Sequence, residues 1–213
     1  MREVFHEELG QVSRELATMT DLSAAALRGA SVALLDADMC RVHEVYRGDD
    51  AMRRLQEDFE SRVVDLLARQ APVAGDLRLL VSELRISADL ERMAGLAVHL
   101  ARIAERRRPG SAVPEELSSL ITRMAASAAE LADAASHLVT GRSFETASAL
   151  EARDDAVDRL HVELLRALLD PANGYRTQTV IDLTLAGRYY ERFADHAVSI
   201  ARRLDFAFTG EAG

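Results

Sequence analysis

The chain has 213 residues, 48% of them apolar and only four of them proline, enough to bury a sizeable core in one domain or two small ones. A net charge of −9 argues against a nucleic-acid partner, which calls for a basic face, and no apolar run approaches the roughly 20 residues of a membrane span. Abundant Ala, Leu, Glu and Arg, no Trp and few β-branched residues in alternating runs predict an all-α fold.

Phe5, Leu9, Val12, Leu16, Met19, Ala26, Ala30 and Ala33 step by four and three, with Ser23 the one polar residue in the seam. This spacing predicts a first long helix over about 3–35. Asp36-Ala37-Asp38 offers an N-cap for a second, running to about Gln70 with Gly48 inside it and the pattern restarting at Asp49. Pro72 and Gly75 break the chain, Asp76 offers a cap, and Ile86, Leu90, Met93, Ala97, Leu100 and Ala104 mark a third helix over about 76–107.

Arg106-Arg107-Arg108-Pro109-Gly110-Ser111-Ala112-Val113-Pro114 is the one long run of breakers, so the domain boundary falls there, with domains 1–108 and 113–209. The three arginines read as a cationic cap on a helix C-terminus, with an anionic partner as the alternative. Leu117, Ile121, Met124, Ala128, Leu131, Ala135 and Leu138 mark a fourth helix. Gly141-Arg142-Ser143 ends it and caps a fifth over about 143–169. Pro171, Asn173 and Gly174 turn the chain into a sixth over about 176–208, with Ala186, Tyr190, Phe193, Ala197, Ile200 and Leu204 as its seam. The expected architecture is six long helices in two tandem three-helix bundles.

The halves are a repeat. Seven of the twelve positions from Glu91 to Arg102 match Glu191 to Arg202, and at an offset of 105 Asp49-Asp50-Ala51 matches Asp154-Asp155-Ala156. In the second half Asp154 and Asp158, and Glu191 and Asp195, stand four apart, so each pair shares one helix face. Consecutive helices joined by a short loop pack antiparallel, so the pairs could converge into a cluster of four carboxylates needing a cation. Such hard oxygen ligands suit Mg, Ca, Mn or iron. The competing reading is four solvated acids paired with Arg159, Arg188 and Arg192. In the first half the same places read Asp49-x-x-x-Arg53 and Glu91-x-x-x-Gly95, half-motifs that point to a weakened or absent site in which Arg53 neutralises Asp49 or Glu91.

His161, three residues beyond Asp158, either joins the acidic site or makes a simple polar contact. His196 points about 100° away from the acidic face and reads as a surface or interface residue. Glu3-x-x-His6 has the spacing of a di-metal bundle pair but stands alone. The single cysteine, Cys40, allows no internal disulfide and fits a reducing compartment, and Met1-Arg2-Glu3-Val4 carries no signal-peptide core. The expected location is cytoplasmic.

The paired Glu91-Arg92 and Glu191-Arg192-Phe193-Ala194-Asp195 helices, the linker Gln70-Ala71-Pro72-Val73-Ala74-Gly75-Asp76-Leu77-Arg78 and the tandem layout together resemble the PhoU family, cytoplasmic regulators of bacterial phosphate uptake. The resemblance implies paired three-helix bundles that self-associate, as a homodimer here. It also implies multinuclear iron or zinc clusters on Glu/Asp-x-x-x-Asp motifs, which carries over to Asp154, Asp158, Glu191 and Asp195 and only by half to Asp49 and Glu91. It implies no catalysis but repression of the phosphate regulon, by linking a phosphate ABC transporter, through a PstB-like ATPase subunit, to a PhoR-type sensor histidine kinase. Contact with the membrane would be indirect, through those partners. A metal-free helical adaptor and a di-metal carboxylate enzyme are the alternatives, though the enzyme would need a second Glu-x-x-His pair.

Overall fold

In a computed structural model of the chain, described here for residues 2–143 and 145–210 and for side chains from Glu7 onward, six α-helices carry the fold. They are α1 (Arg2–Asp36), α2 (Met39–Gln70), α3 (Ala74–Arg106), α4 (Glu115–Val139), α5 (Ala147–Leu169) and α6 (Thr177–Thr209). No strand is found among the described residues. The Glu3 and His6 side chains lie outside them, so their spacing has no structural counterpart to describe.

The helices start and stop for identifiable reasons. Asp38 caps α2, its carboxylate accepting from the backbone N–H groups of Cys40 and Arg41, and the helix runs unbroken through Gly48. The start of α3 differs from expectation: the cap is Val73, with no side-chain bond, and Asp76 lies in the first turn, where its charge faces the free N–H groups. The start of α5 also moves, from Ser143 to Ala147, capped by the Thr146 hydroxyl on Ala149 N. The reason is the end of α4. Gly141 turns left-handed at φ 66, and Arg142 and Ser143 both donate back to the His137 carbonyl, so these residues belong to the helix before. Pro171 opens a single 3-10 turn, Pro171–Asn173, between α5 and α6.

Helices α1, α2 and α3 form one bundle and α4, α5 and α6 the other, while α3 packs on α6 and α1 on α4 between them. Asp89 at the middle of α3 meets Arg203 near the end of α6, and Arg107 at the end of α3 meets Asp182 near the start of α6, so these two helices run antiparallel. The apolar seams read from sequence are buried: Leu16, Met19, Ala30, Ile86, Leu90, Phe193 and Ile200 are at most 1% exposed. The bundles share one continuous apolar core from Val12 to Leu204. Tyr190 of α6 is fully buried in it and donates its hydroxyl to Ser31 Oγ of α1 at 2.9 Å.

Candidate functional site

The turn from Asp170 to Arg176, with Gly174 left-handed at φ 62, folds α6 back along α5. That reversal sets the Asp154 and Asp158 face of α5 against the Glu191 and Asp195 face of α6. The four acids feel one another. Burial pushes the Asp154 carboxyl up to about 7, helped by the charges of Asp195, Asp158, Asp155 and Glu191 in that order. Asp158 is raised as well, by burial first and then by Glu191, Asp195 and Asp155, with His161 opposing. Asp154 Oδ1 is buried and has no hydrogen-bond partner. Asp158 and Asp195 reach solvent.

Glu191 stands between two bases. Its Oε1 accepts from Arg188 Nη1, and its Oε2 lies 2.9 Å from His161 Nδ1. The second contact is close in distance but lacks hydrogen-bond geometry, since Oε2 remains without a hydrogen-bond partner. Among the described residues no three His, Cys, Asp or Glu groups form a ready-made coordination shell. A shell at these four carboxylates would have to close around an arriving ion. The donor set fits a divalent or trivalent cation, and the orphaned Asp154 oxygen is the group such an ion would satisfy.

The first bundle is built differently at the matching places. Asp49 is buried at 6% exposure, and its Oδ2 accepts from Arg53 Nη2 at 2.5 Å. Arg53 thus neutralises Asp49, one of the two acids the repeat comparison offered it. At Gly95, where the second copy has Asp195, an added Cβ would meet nothing within 4 Å, so the missing acid has left open space.

A family model described as the PhoU domain matches the chain twice, over residues 16–104 and 121–204, and the two matches fall on the two bundles. The chain belongs to the PhoU family. It is 41% identical to the "Phosphate-specific transport system accessory protein PhoU homolog 2" of Mycobacterium tuberculosis over 99% of each chain. The corresponding homolog 1 of Mycobacterium leprae is 40% identical over 99% of this chain and 95% of its own. The crystal structure of PhoU from Pseudomonas aeruginosa superposes with a TM-score of 0.88 at 27% identity, covering 97% of this chain and 100% of that one.

This PhoU-family fold also holds a polar cluster that sequence reasoning missed. Asp89 of α3, 3% exposed, accepts from Arg203 Nε at 2.6 Å and Ser199 Oγ at 3.1 Å, and lies 3.0 Å from His196 Nδ1, all on α6. Burial alone would raise the Asp89 carboxyl, but the bonds from His196 and Arg203 outweigh it and hold the group below its ordinary value. His196 is therefore an interface residue, one of the two roles expected. Farther along the α3–α6 contact Asp182, 1% exposed, accepts from Gln178 Nε2 at 3.0 Å and faces Arg107 Nε at 3.5 Å and Arg106 Nη2 at 3.8 Å. Arg106 and Arg107, read as a helix cap, thus face an acid of the other bundle. Asp182 sits four residues before Ala186, on the apolar seam of α6, and a charge on a seam is a visible sign of such a contact.

Proposed function

We propose that this PhoU-family chain is a cytoplasmic accessory protein of a phosphate-specific transport system, restraining phosphate uptake and the phosphate regulon when phosphate is plentiful. In this reading it couples the PstB-like ATPase subunit of the transporter to a PhoR-type sensor kinase, works as a homodimer and catalyses no reaction. The names of its full-length mycobacterial relatives support the transport role. No helix among the described residues is long and apolar enough to cross a membrane, which is consistent with contact through partners.

The observation that carries the site is Asp154: a buried oxygen with no partner, facing three more acids from two helices. Asp154, Asp158, Glu191 and Asp195 would hold an iron or zinc cluster or another divalent ion there. The bound ion would cancel their repulsion and tie α5 to α6, setting the outer face of the second bundle for a partner. The metal-free adaptor reading draws on Arg188, which already pairs with Glu191.

The test is alkaline phosphatase activity in phosphate-replete cells from which the gene is deleted. Activity rises on deletion and returns to the repressed level with the wild-type chain, but stays raised with Asp154→Asn, whose purified protein carries less metal by elemental analysis. Full repression by a metal-free Asp154→Asn chain would select the adaptor.

A further inference from the structure

His161 lies in α5 one turn beyond Asp158, with its ring held in a notch of α6. A Cβ added at Gly187 would stand 2.9 Å from His161 Cδ2, 2.9 Å from Leu164 Cδ2 and 3.4 Å from His161 Nε2, so only glycine lets the imidazole lie this close to the helix backbone. The seat fixes which nitrogen is free. Nε2 is buried against α6 without a partner, whereas Nδ1 points to Glu191.

Glu191 presents the matching atom. With Oε1 held by Arg188, Oε2 is the oxygen left over, and it stands 2.9 Å from Nδ1 with no hydrogen bond joining them. Two donors each about 2.1 Å from one ion lie about 3.0 to 3.4 Å apart in octahedral or tetrahedral geometry. The His161 nitrogen and the Glu191 oxygen, 2.9 Å apart with no hydrogen bond between them, stand near the spacing of two donors on one ion.

The geometry points to His161 as a fifth ligand of the acidic site, its Nδ1 sharing one ion with Glu191 Oε2 and the notch at Gly187 holding the ring in that orientation. This rests on the reading of the acidic cluster as a metal site, and it adds the property that selects the ion. Carboxylates alone accept magnesium or calcium, while an imidazole donor favours zinc, iron, cobalt or nickel. His161 therefore makes the second bundle prefer a transition metal over the far more abundant magnesium.

The test titrates the full chain, labelled with nitrogen-15 in histidine, with zinc and separately with magnesium at constant pH, while calorimetry reads the affinities. The His161 resonances are identified by their loss in His161→Phe. Zinc is expected to move the His161 Nδ1 resonance and magnesium to leave it unmoved. In His161→Phe zinc affinity falls at least about tenfold while magnesium affinity holds, and Gly187→Ala shows the same loss in milder form. The wild-type spectrum decides the matter even where a variant fails to fold. If zinc binds the wild type, is lost in Asp154→Asn and leaves the His161 nitrogen unmoved, the histidine role falls and the acidic site stands. If zinc does not bind the wild type at all, both fall.

Discussion

Glu83 of α3 is 3% exposed between α1 and α3, accepts one hydrogen bond, from Ser13 Oγ at 2.9 Å, and leaves its Oε2 without a partner. Burial pushes the carboxyl from an ordinary 4.5 up to about 7, and the Ser13 bond only partly opposes this. The folded chain thus holds a proton that the unfolded chain releases. Stability from this group is present below about 4.5, falls as the pH rises and levels off above about 7. Glu83→Gln keeps the Ser13 bond and removes the charge. It is expected to stabilise the protein above neutrality by on the order of 2 kcal/mol and to have little effect in acid, read by urea denaturation across pH. Asp89 works in the opposite direction, because its bonds hold the carboxyl below its ordinary 3.8. Its contribution is present above that value and is lost as the pH falls through the lower folded one.

The two Glu-Arg helices, α3 and α6, each carry a glycine that looks like the same blemish. In sequence both are helix-interior glycines, costing up to about 1 kcal/mol relative to alanine. Their surroundings differ. Gly187 lies under His161 and Leu164, with 2.9 Å to each from an added Cβ, whereas nothing lies within 4 Å at Gly95. Gly95→Ala should therefore stabilise by about 0.5 to 1 kcal/mol. Gly187→Ala should destabilise by about 1 to 3 kcal/mol, because the ring and the leucine must shift out of a filled core. Chemical denaturation of the two variants side by side decides it, and equal effects would mean that the notch is not closely filled. The acid at position 195 and the open space at Gly95 are the same contrast seen from the other face, one copy of the helix built for charge and the other relieved of it.

Across the whole molecule the two bundles meet through apolar surface that carries two buried aspartates. Asp89 gathers Arg203, Ser199 and His196, and Asp182 faces Arg106, Arg107 and Gln178. The continuous core predicts that the halves unfold together in one transition. Removing Asp89 leaves the Arg203 guanidinium unpaired at the seam, and because that side chain is 30% exposed, water recovers part of the loss. Asp89→Ala is expected to cost about 2 to 3 kcal/mol, below the range for a fully buried pair, and to split or broaden the calorimetric transition as the bundles uncouple. A single sharp transition at unchanged temperature would mean that the Asp89 cluster does not help to join them.

Local periodicity determined most of this protein. The four-three steps placed α1, α3, α4 and α6 within a few residues of where they lie, because helix formation and the direction of an apolar face depend on neighbours three and four apart, and α2 and α5 were read from the caps and breakers at their ends. The repeat exposed the asymmetry between Asp154, Asp158, Glu191 and Asp195 and the half-motifs at Asp49 and Glu91, and Arg53 does bond Asp49. The start of α5 was not legible, since the end of α4 claims Arg142 and Ser143 through backbone bonds that no side-chain signal announces. Nor was the meeting of Asp89 with His196, 107 residues apart, or the seat of His161 over Gly187. Those depend on how α3 crosses α6 and how closely α5 approaches it, which follow from the filling of one shared core by all six helices and are written in no single stretch of the chain.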